Sequence, residues 1–236
     1  MSLYFRQLLA GRDFAVDDPA ARQMENFVYL IGDTVSRQAV VVDPAWDIDG
    51  ILAQLEKDDM NLSAALATHY HPDHVGGHIF GHDIQGLSEL LGKSSVPVYV
   101  NAHEAEGVRQ VTGLSASDLK SVDGGASLSV GEVPIRFLHT PGHTPGSQCF
   151  LVDEQRLVSG DTLFIGACGR VDLPGGDPEA MYRSLSRLAE LDDRVVLFPG
   201  HDYGDRPFKP LALEKQTNPY LKASSLQQFL RTRGVG

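Results

Sequence analysis

Apolar residues in this chain fall into runs with two different periods. Residues 27–31 (FVYLI) and 39–42 (AVVV) are short, continuous and largely β-branched or aromatic, so they read as strands, with Gly32-Asp33 as a turn signal between them. Asp43-Pro44 ends the second run. Ile48, Ile51, Leu52 and Leu55 then recur at helical spacing and predict an amphipathic helix over 48–58. Residues 64–67 (AALA) read as a buried strand, 84–91 as a short helix, 96–100 as a strand and 103–111 as a helix. Beyond residue 126 the pattern turns to β, with strands expected at Ser127–Val130, 133–138, Gln148–Val152 and Arg156–Val158. A helix at 178–191, a strand at 194–198 and a helix at 224–232 complete the reading. Strands and helices alternating in two runs predict a layered α/β protein.

Composition narrows the partners rather than the fold. The chain has 236 residues, 42% hydrophobic and 22% charged, as ordinary soluble globular domains do. We expect one domain over 1–236, ending in a short C-terminal tail from about 204. A formal charge of −11 argues against nucleic acid, because binding phosphates needs a basic face. The N-terminal MSLYFRQLLAGRDF lacks the sustained apolar core and small-residue cleavage site of a secretory signal. No apolar run approaches the ~20 residues that span a bilayer. With only Cys149 and Cys168, no disulfide framework is expected, and a reducing cytoplasm is the default location.

The chemistry is concentrated in a few histidines and aspartates. His69, His71, Asp73 and His74 lie within THYHPDH, directly after the 64–67 strand. His143 stands in HTPGHTPGS, Asp161 in SGDTLF and His201 in FPGHDYG, each soon after an expected strand. Imidazoles and carboxylates with few thiols describe a site for zinc, iron or manganese. Two residues apart in an extended loop, His69 and His71 share a face and can bind one metal, while Asp73 and His74 turn toward a second. Solvated loop histidines are the plain alternative for any one of these residues, but not for seven together.

This set of motifs resembles the metallo-β-lactamase superfamily, and within it the branch of glyoxalase II (hydroxyacylglutathione hydrolase) and the persulfide dioxygenases. The resemblance runs from about residue 27 to about 220 and implies a four-layer αββα sandwich. It also implies two divalent metals, Zn2+ and/or Fe2+. His69, His71 and His143 would hold the first, and Asp73, His74 and His201 the second, with Asp161 bridging. Such a pair shares a hydroxide that attacks a carbonyl, with Asp73 orienting it and later delivering a proton. Asp73 and Asp161 are therefore the expected catalytic carboxylates. A thioester of a small thiol, such as an acyl-glutathione, is the expected substrate.

The same residues allow a second chemistry. His69, His143 and Asp161 form a 2-His-1-carboxylate set, and persulfide dioxygenases resemble this chain in using those positions for one Fe2+. HDY at 201–203 and CGRVD at 168–172 are similar to dioxygenase stretches, as is the short tail after His201. HPDHVGGH at 71–78 and SGDTLF at 159–164 are similar to the hydrolases. Arg170 reads as a clamp for a substrate anion or as a plain surface arginine. Tyr203 reads as a substrate contact or a packing tyrosine, and Asp43 as a carboxylate supporting a ligand histidine or as a turn aspartate before Pro44. Outside the enzymes, the rival is a non-catalytic metal-binding module of the same fold. We choose the thioester hydrolase first.

Overall fold

Two-residue alternation within the strands sets the layering. In the strand Phe27–Asp33, Phe27, Tyr29 and Ile31 pack into one apolar layer, and Val28 and Leu30 into another. Val40 and Val42 face the first layer, Ala39 and Val41 the second. Strands buried on both faces need apolar residues at every position, which is why these runs are continuous rather than alternating.

A computed structural model describes residues 2–234. The first sheet contains β1 (Leu3–Leu9), β2 (Phe27–Asp33), β3 (Gln38–Val42), β4 (Asn61–Leu66), β5 (Val98–Asn101) and β6 (Leu119–Val122), side by side in chain order. β1 to β3 are antiparallel, and β3 to β6 run parallel. The second sheet contains β7 (Ser127–Val130), β8 (Val133–His139), β9 (Gln148–Val152), β10 (Arg156–Val158), β11 (Val196–Phe198) and β12 (Lys209–Pro210). Only β10 and β11 pair in parallel there, across the helix Pro178–Ala189.

Between the sheets lies a layer in which Phe27, Tyr29, Val42 and Leu66 meet Ile135, Phe137, Phe150 and Val158. Each such side chain contributes about 1.5–3 kcal/mol by leaving water. Helices Ile48–Lys57, Leu87–Lys93 and Ala105–Thr112 cover the outer face of the first sheet through Ile48, Ile51, Leu90 and Val108. Helices Pro178–Ala189, Leu211–Thr217 and Leu226–Arg233 cover the second through Met181, Leu185, Leu211 and Phe229. The order of layers is αββα, as the resemblance implied.

Several elements differ from the sequence reading. The LYFRQLL stretch, read only for targeting, is β1, whose mixed polar and apolar faces suit an edge strand. Residue 84 ends a hairpin of Gly77–Ile79 and His82–Ile84, so the helix expected at 84–91 begins at Leu87. A second hairpin, Leu163–Phe164 with Ala167–Cys168, was not expected. The segment expected as a tail supplies β12 and the helix Leu211–Thr217 besides the expected terminal helix, found at Leu226–Arg233, and its Leu211 and Phe229 are fully buried. Among the described residues, no helix is long and apolar enough to cross a membrane.

Candidate metal centre

The expected ligands lie in loops that leave the carboxyl ends of β4, β8, β10 and β11, at one edge of the sandwich. His71 is extended, as the residue before a proline must be, and Pro72 opens the single helical turn Pro72–Val75 that carries Asp73 and His74. Two seams tie the sheets together here. Phe27 N donates to Gly200 O (2.8 Å) and Asp202 N to Glu25 O (2.9 Å); Gln148 N donates to Thr68 O (2.9 Å). Gly200 must be glycine, since a Cβ there would lie 2.5 Å from Asp161 Oδ1 and 2.9 Å from Gly160 C.

The loops converge into two trios. In the first, His71 Nδ1 is 3.0 Å from both His69 Nε2 and His143 Nε2. In the second, His74 Nε2 and His201 Nε2 are 3.1 Å apart, and each is 3.4 Å from Asp73 Oδ2. Asp161 reaches both, with Oδ1 3.3 Å from His74 Nε2, and Oδ2 3.4 Å from His201 Nε2 and 3.6 Å from His143 Nε2.

Four of the five rings are oriented by their outer nitrogen. His143 Nδ1 donates to Arg170 O (2.8 Å) and His201 Nδ1 to Met24 O (2.7 Å); a carbonyl can only accept, so these nitrogens carry the hydrogen. Asp43 Oδ2 accepts from His74 Nδ1 (2.9 Å) and from the Thr68 hydroxyl (2.6 Å), which leaves Thr68 Oγ1 to accept from His69 Nδ1 (3.0 Å). Each of these rings therefore turns Nε2 toward the centre. Asp43, His69 and His74 also form a close group, but on the outer side, where both Asp43 oxygens already accept hydrogen bonds.

This donor set fits divalent cations. Tetrahedral zinc with ligands at about 2.0–2.1 Å has ligand–ligand edges of about 3.3 Å, close to the spacings in both trios. The buried Asp161 Oδ1 accepts no hydrogen bond, as expected of an oxygen reserved for a cation.

The electrostatics of the two trios differ. Burial, helped by His74 and His71, pushes His69 well below the ordinary imidazole range, and burial takes His71 down to about 4. For His74, burial opposes the charge but Asp73 and Asp161 outweigh it, raising the ring well above its usual value. His201 is raised in the same way, chiefly by Asp161. Burial also works against charge on Asp161, yet His201 and His74 hold that carboxyl well below the carboxylate range. Without metal, His69 and His71 are thus held toward the neutral form and His74 and His201 toward the protonated form, so a cation entering the second trio must displace a proton.

The remaining expected residues are less central. Arg170 is exposed, and its guanidinium holds Asp172 with two hydrogen bonds (2.7 and 3.0 Å). Tyr203 is half exposed and stacks on His201, with ring centroids 4.5 Å apart and planes inclined at 14°. Burial pushes the Cys149 thiol up to about 11 and the Cys168 thiol up to about 12, so neither is a nucleophile at neutral pH.

Three residues outside the sequence reading matter here. Asn26 Nδ2 donates to Asp73 Oδ2 (2.9 Å), and Asn26 Oδ1 accepts from Trp46 Nε1 (3.1 Å). Glu104, fully buried, accepts from Tyr70 N (2.7 Å), Thr144 Oγ1 (2.7 Å) and Gly146 N (2.6 Å). It thereby clamps the His69–His71 loop to the His143 loop. Burial raises its carboxyl to about 7 against the pull of these three donors. No periodicity marks Glu104; the polar Asn26 beside an apolar strand and the lone Trp46 were the available signals.

Known proteins bear on this geometry. A probable polyketide biosynthesis zinc-dependent hydrolase of Bacillus velezensis is 31% identical over 88% of this chain and 87% of its own length. A hydroxyacylglutathione hydrolase of Alkalilimnicola ehrlichii is 40% identical over 76% of this chain and 62% of its own. The crystal structure of ETHE1 from Myxococcus xanthus superposes with a TM-score of 0.77 at 29% identity, covering 98% of this chain and 90% of that one. The family profile described as metallo-beta-lactamase superfamily matches residues 22–201. With that match, the αββα layering and the paired trios at its edge, the chain belongs to the metallo-beta-lactamase superfamily.

Proposed function

We propose that the protein is a two-metal hydrolase that cleaves a thioester of a small thiol such as glutathione. The observation that carries this reading is the second trio. Asp73, His74 and His201 stand at ligand spacing beside the first trio, and Asp161 spans the two. A two-metal hydrolase uses every member of both trios, whereas a one-iron centre would keep Asp73, His74 and His201 only as neighbours of the iron. When bound, divalent zinc or iron supplies the Lewis acidity that makes water nucleophilic at neutral pH and stabilises a departing thiolate. In this reading Asp73 takes up the proton of the attacking water and returns it to the leaving sulfur, while Asp161 fixes the spacing of the two positions. The outer partners Asp43, Thr68 and the carbonyls of Met24 and Arg170 hold the rings in the binding tautomer. A carboxylate of the substrate would compete with Asp172 for Arg170, an exposed pair screened by water and so readily displaced. Two free, buried cysteines suit work in a reducing cytoplasm.

The second reading is a one-iron persulfide dioxygenase using His69, His143 and Asp161. It is favoured by the overall likeness to the Myxococcus xanthus ETHE1 structure. Elemental analysis of purified protein, with parallel assays of acyl-glutathione hydrolysis and of dioxygen uptake with glutathione persulfide, separates the two. About two metals per chain with thioester turnover supports the hydrolase. One iron per chain with dioxygen uptake and no thioester turnover overturns it.

A further inference from the structure

Asn26 stands where a ligand to the second metal would stand, but it presents the wrong edge. Its Nδ2 is 2.9 Å from Asp73 Oδ2, 3.3 Å from His74 Nε2 and 3.4 Å from His201 Nε2. Those three atoms are themselves 3.1–3.4 Å apart. The four atoms form a nearly regular tetrahedron, with edges close to those expected for zinc ligands at about 2.0 Å. An amide nitrogen has no lone pair to offer a cation, and its hydrogens carry partial positive charge toward the centre.

The amide cannot simply turn its oxygen inward. Trp46 Nε1–H, which only donates, lies 3.1 Å from Asn26 Oδ1 and fixes the orientation. Trp46 is itself firmly placed: it is buried, its backbone N–H donates to Gln85 O (2.9 Å), and its backbone is held at φ 80°, a strained value for a tryptophan. Among the described residues, no side-chain amide bonds any nitrogen of the first trio.

We propose that Asn26, locked by Trp46, is a positioning residue that keeps the second metal position weaker than the first, so that the two fill in order. The proposal rests on the reading that Asp73, His74 and His201 hold a cation. In the one-metal state the amide stands in for the absent cation by hydrogen-bonding Asp73. To fill the second position, the cation must displace that bond. The Asn26–Trp46 pair thus sets the metal concentration at which a one-metal protein becomes a two-metal one.

Zinc titration of metal-free protein against a chromogenic chelator tests this directly. The wild type is expected to show two steps at least about tenfold apart, the usual size of an outer-partner effect. Asn26→Asp puts a carboxylate oxygen at the corner that Asn26 Nδ2 occupies, beside the bridging Asp161, while still accepting from Trp46, so the second step tightens by about tenfold or more and the first stays put. Trp46→Phe removes the lock and lets the amide present Oδ1, so it moves the second step in the same direction without adding charge. The first step serves in each variant as the control for an intact fold. Two equal steps in the wild type overturn the proposal, as does a second step that neither variant tightens while the first is preserved. A wild type that takes up no second zinc at any concentration, with Asn26→Asp no different, instead overturns the two-metal reading on which it rests.

Discussion

Replacing Glu104 with glutamine measures how a buried carboxyl holds the two loops of the first trio. The carboxyl accepts two backbone N–H groups and one hydroxyl, all within 2.6–2.7 Å. Glutamine keeps the shape but exchanges one oxygen for an NH2. Whichever way the amide lies, it then faces at least one buried N–H, at a cost of about 1–3 kcal/mol. The second contribution depends on pH. Burial raises the carboxyl from its ordinary 4.5 to about 7, so the folded protein binds this proton more tightly than the unfolded chain does. The resulting stabilisation is fully present below pH 4.5 and is lost as pH rises through about 7. At about 1.4 kcal/mol per pH unit, the loss amounts to ~3 kcal/mol. Glutamine does not titrate and lacks this slope. In metal-free protein the variant should therefore be ~1–2 kcal/mol less stable than wild type near pH 5, and as stable or more so near pH 8.5. Urea denaturation of both proteins across pH 5 to 8.5 gives the difference directly, and the other titrating groups cancel in it. A gap that stays constant with pH would refute the argument, because Glu104 would then have the same proton affinity in the folded and unfolded chains.

Three further outcomes follow from the geometry. Gly200→Ala drives a Cβ into Asp161 Oδ1 and should lower metal content below that of the wild type while costing about 1–3 kcal/mol, read by elemental analysis and denaturation; full metal content would show that Asp161 does not need that space. Arg170→Ala should raise KM for an anionic thioester about tenfold at unchanged kcat, since it removes binding shared by substrate and transition state; an unchanged KM would make Arg170 a surface residue paired only with Asp172. Stripping metal with a chelator should abolish turnover and lower the melting temperature by roughly 10 °C, if metal at about a thousand times its dissociation constant contributes ~4 kcal/mol; calorimetry showing no change would deny the site its metal.

Legibility from sequence followed how local each signal was. The strands 27–31 and 148–152 were plain because both of their faces are buried, which leaves an unbroken apolar run. β1 was missed because an edge strand with Arg6 and Gln7 carries no such run. The hairpin before Leu87 was missed, and its last residue, Ile84, taken into the helix expected at 84–91, because its short strands are partly exposed and His82 and Asp83 are polar. Around the candidate centre, the residues that converge were readable from their types and from the HxHxDH spacing, because coordination chemistry restricts which side chains could serve. Asn26 and Glu104 were not, because a hydrogen-bonding role depends on what the fold brings within 3 Å. Neither asparagine nor glutamate announces that in advance. Asp43 lay between these cases: its position at a strand end suggested support for a histidine, and it lies 2.9 Å from His74 Nδ1.

The division of ligands between the two sheets also bears on how the chain matures during synthesis. The first sheet is complete by residue 122, and with it His69, His71, Asp73 and His74 are in hand while the second half is still being made. His143, Asp161 and His201 arrive only with the second sheet, so neither trio can close on the nascent N-terminal half. Chain order alone therefore puts His69, His71, Asp73 and His74 ahead of the residues that complete either trio. In the proposed two-metal reading, metal capture would wait until the two halves have docked, and the finished centre would act as a bolt across the seam between them.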